Sequence, residues 1–306
     1  MDLLISVLRR AIVAGTPLLL GTLGEVIAER AGVLNLGVEG MLAMGAVSAF
    51  IVTLTTGSPW LGILFAILVG AAAALLHAVV TVSLQSNQVV SGLALTMLGL
   101  GASGLWGKPY IGIPLEVKMN PIRIPLLGDI PVLGDVLFYH DVFFYLAVPL
   151  GIAAWFVIKH TRWGIIMRSA GENPKAAESQ GINVSLVRYI CVVIGGGFAG
   201  MAGANLSIAY SKSWIEGMTA GRGWIIIGLT IFALWKPGRA FAGAFLFGGI
   251  FVLQYLLQPL GIPPNLLGML PYIATLSVLV IGGIGRGKRK MSGPAALGEI
   301  FRRGER

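Results

Sequence analysis

Charged residues are scarce in this chain. Only 11% of its 306 residues are Asp, Glu, Lys or Arg, whereas 56% are hydrophobic and the mean hydropathy is +0.85. A soluble domain normally carries about 25% charged residues. Several apolar runs reach or approach the roughly 20 residues that a helix needs to cross the hydrocarbon of a bilayer. The composition therefore excludes an ordinary soluble domain and predicts an all-α polytopic membrane protein.

Cysteine and histidine are also rare. The single cysteine, Cys191, lies in an apolar run, so no disulfide can form within the chain. The three histidines, His77, His140 and His160, are far apart in sequence, and no HExxH or GxSxG motif is present. His77 falls inside an apolar run, where a hydrogen bond within the helix bundle is a better interpretation than a metal site. The sequence therefore predicts neither a catalytic set nor a metal centre.

Two glycine-rich motifs resemble nucleotide-binding loops without meeting their requirements. Residues 282–289, GGIGRGKR, nearly match a P-loop, but Arg289 replaces the required Ser or Thr and a membrane span precedes the loop. Residues 195–200, GGGFAG, match G-x-G-x-x-G but lie inside an apolar span, where small residues serve close helix packing. We therefore expect this chain to bind no cofactor itself.

The net charge of +9 comes from basic residues that flank apolar runs. One group surrounds the central segment 159–185, and the other fills the tail 286–306. Basic residues beside span ends mark the cytoplasmic side, and a basic tail is attracted to anionic lipid. This distribution argues against a nucleic-acid partner and predicts that the central segment and the C-terminus are cytoplasmic. The central group consists of Lys159, Arg162, Arg168, Lys175 and Arg188.

Nine apolar segments follow one another along the chain, and we expect eight to ten membrane crossings. The first half, 1–158, contains a proline-rich stretch, 107–140, which we interpret as an extracytoplasmic excursion with short helices at most. The second half is 186–285. Five crossings in the first half would put Arg9 and Arg10 outside; the alternatives are a broken helix near 29–40 or a membrane-embedded part of 107–140. The segments are 11–28, 41–55, 60–84, 89–106, 142–158, 186–209, 224–234, 240–257 and 266–282.

A weak two-fold repeat relates the halves. Residues 35–46 and 216–228 are both glycine-rich openings to an apolar helix, and a proline-containing turn follows each, at Pro59 and Pro237. Interrupted hydrophobic segments at corresponding positions are typical of the substrate path of a transporter. The alternative is that glycine-rich helix starts are common in any membrane bundle.

Polar residues cluster in the interruptions of the apolar runs, and they are the candidates for the substrate path: Asn35, Glu39, Asn87, Gln88 and Ser91. Uncharged hydrogen-bonding groups suit a polar, neutral substrate, although the same residues can simply cap helices. Glu39 lies in the glycine-rich break. It is either buried at membrane depth or solvated at a helix N-terminus, where an anion is favoured.

A short polar helix is predicted in the central segment. Asn173 is a preferred N-cap, Pro174 suits the first helical position, and Gly181 can adopt the left-handed conformation that ends a helix. The helix has about two turns, too few to cross a bilayer or to be stable alone. It is therefore a plausible attachment point for a soluble partner.

Four stretches carry a resemblance to a known family. They are GENPKAAESQGINV at 171–184, ERAGVLNLGVEGMLAMG at 29–45, SNQVVSGLAL at 86–95 and AGRGWIIIGL at 220–229. Together they are similar to ABC importer permeases of the ribose/branched-chain-amino-acid superfamily. The similarity is greatest to the simple-sugar/nucleoside branch, and within it to the shorter of two paired permeases.

The resemblance implies a prokaryotic plasma-membrane transport subunit. It would pair with a second, homologous permease and a cytoplasmic ATPase with two nucleotide sites, which binds the ATP and Mg²⁺. An extracytoplasmic lipoprotein would deliver a nucleoside or, alternatively, a simple sugar; a stand-alone secondary transporter is a further alternative. The resemblance assigns the coupling to the ATPase to Glu172, Asn173, Pro174, Lys175, Ala176, Ala177, Glu178 and Gly181.

Overall fold

Helices dominate the computed structural model, which describes residues 2–117, 119–283 and 293–302. The basic residues 286–290 and 303–306, and most of the P-loop-like stretch, lie outside the described residues. In chain order the helices are α1 Asp2–Arg30, α2 Val38–Thr56, α3 Pro59–Ala78, α4 Gln88–Gly107, α5 Leu133–Leu137, α6 Val142–His160, α7 Arg162–Glu172, α8 Pro174–Ser179, α9 Val184–Ala204, α10 Arg222–Phe232, α11 Pro237–Leu257, α12 Pro264–Gly268 and α13 Leu270–Gly283.

Seven of the described helices are long and apolar enough to cross a membrane, which confirms the all-α polytopic class. They are α1, α2, α3, α4, α6, α9 and α11; α3 and α9 are lengthened by the π-helical turns Val79–Ser83 and Asn205–Tyr210. Two further predicted spans correspond to shorter helices, α10 with 11 residues and α13 with 14. The nine predicted segments therefore all coincide with helices.

One end of the bundle carries residues 108–141. Here β1, Ile122–Arg123, pairs antiparallel with β2, Tyr139–His140, beside α5. The expectation of short helices at most was therefore incomplete, because two-residue strands are too short to show an alternating pattern. We call this the sheet end, and the opposite end, which carries α7 and α8, the α8 end.

The chain starts at the sheet end. The guanidinium of Arg9 lies 4.0 Å from the centroid of the Tyr139 ring. At its C-terminus α1 reaches the α8 end, where Arg30 lies against Gly171 of α7. The approach is so close that a methyl group added at Gly171 would be only 2.2 Å from the Arg30 carbonyl oxygen. Residues 31–37 then run without helix into α2. The first half therefore contains five candidate spans, the non-helical residues 31–37 join the first to the second, and Arg9 and Arg10 lie at the end opposite α8.

The two halves show the predicted repeat in their packing. We match α1, α2, α3 and α4 of the first half with α9, α10, α11 and α13 of the second half. Contacts between helices then occur in corresponding pairs: α1 packs on α11, and their matched helices α9 and α3 pack on each other. Likewise α2 contacts α9 as α10 contacts α1, and α2 contacts α4 as α10 contacts α13. Matched helices run in opposite directions between the two ends, so the repeat is inverted.

Small residues allow the central helices to approach closely. The face of α3 that contains Ala66 and Gly70 meets Gly196 and Gly200 of α9. A methyl group on Gly70 would lie 2.3 Å from the Gly196 carbonyl oxygen, and one on Gly200 would lie 2.0 Å from the Ala66 carbonyl oxygen. This contact confirms that the GGGFAG stretch serves helix packing.

Replacing Gly200 with alanine should therefore force α3 and α9 apart. We expect a loss of stability of about 1–3 kcal/mol, the usual cost of overpacking, seen as a lower unfolding temperature in detergent. Gly249→Ala is the matched control, because a methyl group there would lie 3.8 Å from the nearest atom, the Ala11 Cβ. Equal unfolding temperatures for the two variants would contradict the packing described here.

Candidate coupling and substrate-path sites

The short polar helix predicted in the central segment is α8, and the residues predicted to begin and end it do so. The Ala176 N–H donates to Asn173 Oδ1 at 3.0 Å, Pro174 occupies the first helical position, and Gly181 has φ of +81°. Ala177 faces the protein and is only 3% exposed, whereas Lys175 and Ala176 are exposed. Ala177 thus packs against the bundle, while Lys175 and Ala176 are accessible.

Helix α7, which precedes α8, was missed by the sequence analysis. Thr161 caps it by accepting from the Gly164 N–H at 3.2 Å, and Gly164, Met167 and Ala170 form its buried face. Their spacing of three is a helical signal that the polar surroundings obscured. Because Gly171 at its end lies against the Arg30 carbonyl and Gly32, α7 links α8 to the break after α1.

The non-helical break at residues 31–37 is held by side chains of α3 and α4, which form hydrogen bonds with the backbone of Leu34. The Leu34 N–H donates to Gln88 Oε1 at 2.7 Å, and the Leu34 carbonyl oxygen lies 3.1 Å from His77 Nε2. His77 Nδ1 is in turn 2.9 Å from Ser91 Oγ. We call these residues the Leu34 clamp. His77 is therefore hydrogen-bonded within the bundle, as expected, and Gln88 and Ser91 meet at the break.

Asn35 and Asn87 both have partners within the chain. Asn35 Nδ2 donates to Glu25 Oε2 at 3.2 Å, and its Oδ1 accepts from the Gly37 N–H at 3.1 Å. Asn87 accepts from the Val89 and Val90 N–H groups at 2.9 and 3.1 Å and so caps α4. Asn35 is fully buried in the break, whereas the contacts of Asn87 are those of a helix cap.

Glu39 connects the two glycine-rich openings. Its Oε1 accepts from the Gly221 N–H at 2.9 Å and its Oε2 from the Gly223 N–H at 2.5 Å, and the residue is only 4% exposed. The carboxylate thus lies at the N-terminus of α10, where backbone N–H groups lack helical partners and an anion is favoured. Glu39 is buried and is not solvated at its helix N-terminus.

Two further acids, Glu25 and Glu29, are buried at the end of α1. Their spacing of four puts them on one face of the helix, and both are 1% exposed. Glu29 accepts from the indole N–H of Trp235, while Arg30 donates to the Trp235 carbonyl oxygen at 3.0 Å. Sequence reasoning missed their role, because Trp235 is about two hundred residues away. They join the break to the turn before α11.

A cavity of about 220 Å³ lies on the sheet-end side of Glu39. Ala43, one helical turn from Glu39 on α2, contributes to its wall, as do Ser103 of α4 and the loop before α10, which supplies Trp214, Glu216 and Thr219. An aromatic ring beside carboxylate and hydroxyl groups suits a polar organic molecule. These residues were not among the sequence candidates. No group of three or more His, Cys, Asp or Glu side chains in the described ranges could hold a metal ion.

A helical membrane bundle with an inverted repeat and two interrupted segments is the architecture of a transport protein. The chain belongs to a family of that class, the permease components of branched-chain amino acid transport systems, whose model matches residues 7–285. It is thus a transport permease subunit, and the ABC permease relatives reported next put it in the simple-sugar/nucleoside branch. No solved structure matches the chain.

Curated relatives cover nearly the whole chain. The putative glucose ABC transporter permease protein TsgC13 of Haloferax volcanii is 38% identical over 97% of this chain and 98% of its own length. The guanosine ABC transporter permease protein NupQ of Bacillus subtilis is 36% identical over 96% of each. The nucleoside ABC transporter permease protein NupC of Lactococcus lactis is 35% identical over 88% of this chain and 90% of its own length.

The same two organisms, Haloferax volcanii and Bacillus subtilis, each have a second, weaker match. The glucose permease protein TsgB13 and the guanosine permease protein NupP are both 25% identical to this chain. The alignments cover 64% and 68% of this chain but only 55% and 62% of these relatives, which are therefore longer. The chain thus resembles the shorter member of each pair.

Replacing Glu39 with glutamine tests its position between the two openings. Glutamine keeps one carbonyl oxygen but cannot accept from both N–H groups as an anion does, and hydrogen bonds to charged groups contribute about 1.5–3 kcal/mol. We expect substrate uptake to fall roughly tenfold, while the amount of protein in the membrane is unchanged.

Glu116→Gln is the matched control, because Glu116 is exposed in the 108–141 stretch. Uptake by Glu39→Gln equal to that of the control would show that transport does not depend on this carboxylate.

Proposed function

We propose that this chain is the shorter permease of a nucleoside importer. The observation that carries this proposal is the similarity over nearly the full length to NupQ and NupC, permease proteins for guanosine and for nucleosides. The second candidate substrate is a simple sugar, which the similarity to TsgC13 favours. A nucleoside contains a sugar ring, so the two substrates share hydroxyl chemistry.

The pairing of the relatives supports one of the proposed partners, the second permease, and the class of transporter supports the others. A second, longer permease would form a heterodimer with this chain, because NupQ and TsgC13 each have a longer counterpart in the same organism. A cytoplasmic ATPase would bind ATP and Mg²⁺ and supply the energy, and an extracytoplasmic lipoprotein would deliver the substrate. This chain would hydrolyse nothing and would change conformation when the ATPase closes.

The exposed face of α8 is the proposed contact with the ATPase. The residues concerned are those that the resemblance assigns, Glu172 to Glu178 and Gly181; among them Ala177 is buried and attaches α8 to the bundle. Contacts lead from α8 through α7 and Gly171 to the break at 31–37, and from there to the Leu34 clamp and Glu39. A force on α8 would therefore act on the segment that contains the substrate-path candidates, and rigid-body rocking of the halves would follow.

The substrate path is proposed to run along this broken segment. Asn35, Glu39, Gln88 and Ser91 hold its conformation, Asn87 caps the adjacent helix, and the cavity at Trp214 and Glu216 lies beyond it toward the sheet end. In this arrangement the α8 end is cytoplasmic and the sheet end extracytoplasmic, which makes the C-terminus cytoplasmic. The basic residues around α7 and α8 support this orientation.

The substrate assignment can be tested in vesicles that contain this chain with its partner permease, ATPase and lipoprotein. We expect unlabelled nucleosides, but not glucose or ribose, to compete with labelled guanosine uptake and to reduce it at least tenfold. Uptake of labelled glucose or ribose without uptake of labelled guanosine would identify the chain as a sugar permease. ATP-independent uptake would contradict an ABC mechanism.

Reversing two charges on α8 tests the coupling. Lys175→Glu with Glu178→Lys should reduce substrate-stimulated ATPase activity by more than tenfold, while the chain still reaches the membrane, because the altered side chains would face the ATPase. Lys108→Glu with Glu116→Lys is the matched control at the sheet end, where both residues are exposed. Unchanged stimulation in the α8 variant would refute its coupling role.

Labelling of a single cysteine tests the orientation. Native Cys191 is buried and should give little background. Ala176→Cys should react with an impermeant maleimide only from the cytoplasmic side. Asp129→Cys, at a position whose side chain is 76% exposed at the sheet end, should react only from outside. The opposite pattern would invert the proposed topology.

A further inference from the structure

The C-terminal residues 293–302 form a segment that lies across the α8 end, and we call it the C-terminal strap. Its backbone is fastened to the end of α7: the Ala296 N–H donates to the Gly171 carbonyl oxygen at 2.9 Å, and the Ala295 N–H donates to Glu172 Oε2 at 3.2 Å. Ala296 is buried in this contact. The strap is thus attached to the segment that leads into α8.

The strap is also fastened to the interior of the bundle. The carbonyl oxygen of Glu299 accepts from Gln88 Nε2 at 3.2 Å and from Arg188 Nη1 at 3.1 Å. Arg188 is almost fully buried, and its guanidinium lies 5.8 Å from the centroid of the Phe301 ring. Because Gln88 belongs to the Leu34 clamp, one side chain joins the strap to the broken segment.

A groove of about 450 Å³ separates the strap from the start of α8. Glu172 and Lys175 contribute to one wall, and Glu299, Ile300 and Arg302 contribute to the other. The side chain of Ile300 is apolar and yet 44% exposed. The walls therefore combine two acidic groups, two basic groups and an accessible apolar side chain.

This composition identifies the kind of occupant. A lipid headgroup or a free phosphate would need a surplus of basic groups, which the balanced walls do not offer. A surface segment of another protein, with polar side chains around an apolar contact, fits them better. The N–H groups of Ala295 and Ala296 are already bonded to the end of α7, and the exposed side chains of Lys175 and Ile300 can contact a partner.

We propose that the C-terminal strap is the second wall of the surface that binds the cytoplasmic ATPase, with a segment of the ATPase seated between the strap and α8. The proposal rests on the proposed coupling role of α8. It adds a route by which ATPase movement reaches the break, because the strap is bonded through Gln88 to Leu34 without passing through α7.

The test uses the assembled complex of this chain, the longer permease and the ATPase, with the lipoprotein present in the stimulation assay. A photo-reactive residue, p-benzoylphenylalanine, in place of Ile300 should cross-link to the ATPase. Ile300→Asp should reduce both the amount of ATPase that co-purifies and the ATPase stimulation by substrate, each by roughly tenfold, with an unchanged unfolding temperature. Ile262→Asp is the control, since Ile262 is an exposed isoleucine of the turn between α11 and α12, and it should retain the ATPase.

Two results would overturn the proposal, and they are distinguishable. If Ile300→Asp keeps the ATPase and position 300 cross-links only to lipid or to nothing, while the Lys175/Glu178 charge reversal uncouples the complex, α8 binds the ATPase without the strap. If neither variant affects binding or stimulation, the coupling role of α8 fails as well.

Discussion

The backbone of the break at 31–37 must be hydrogen-bonded without the help of a helix, and much of the structure serves this requirement. Hydrocarbon offers no partners to free N–H and C=O groups, and non-helical backbone is tolerated at membrane depth only inside protein. Gln88 and His77 therefore bind both polar groups of Leu34, and Asn35 binds the Gly37 N–H. The corresponding opening in the second half obtains its partner from Glu39.

The same contacts make the two halves interdependent. Glu39 of the first half completes the start of α10, and Trp235 of the second half binds Glu29 at the end of α1. The glycine faces of α3 and α9 bring the halves close enough for these bonds. A relative movement of the halves must therefore exchange a small number of specific polar contacts, which favours discrete conformations over continuous deformation.

The sequence predicted the elements better than their connections. Continuous apolar runs located all nine segments, and Asn173, Pro174 and Gly181 located α8, because these signals depend on residues near one another in the chain. The partners of Glu39, Gln88 and Glu29 could not be predicted, because the groups they bind lie roughly fifty to two hundred residues away. The amphipathic helix α7 is an intermediate case: its buried residues have helical spacing, but two of the four are glycines, which add little to a hydrophobic pattern.

The position of Arg9 beside Tyr139 has a consequence for how the chain enters the bilayer. Helix α1 has basic residues near both of its ends, Arg9 and Arg10 near one and Arg30 at the other. The difference in basic charge across this helix is therefore small and does little to set its orientation in the bilayer. The decisive excess of basic residues appears only after α6, at Lys159, Arg162 and Arg168. The charge asymmetry on which the positive-inside rule depends is therefore carried by the middle of the chain and not by its first helix.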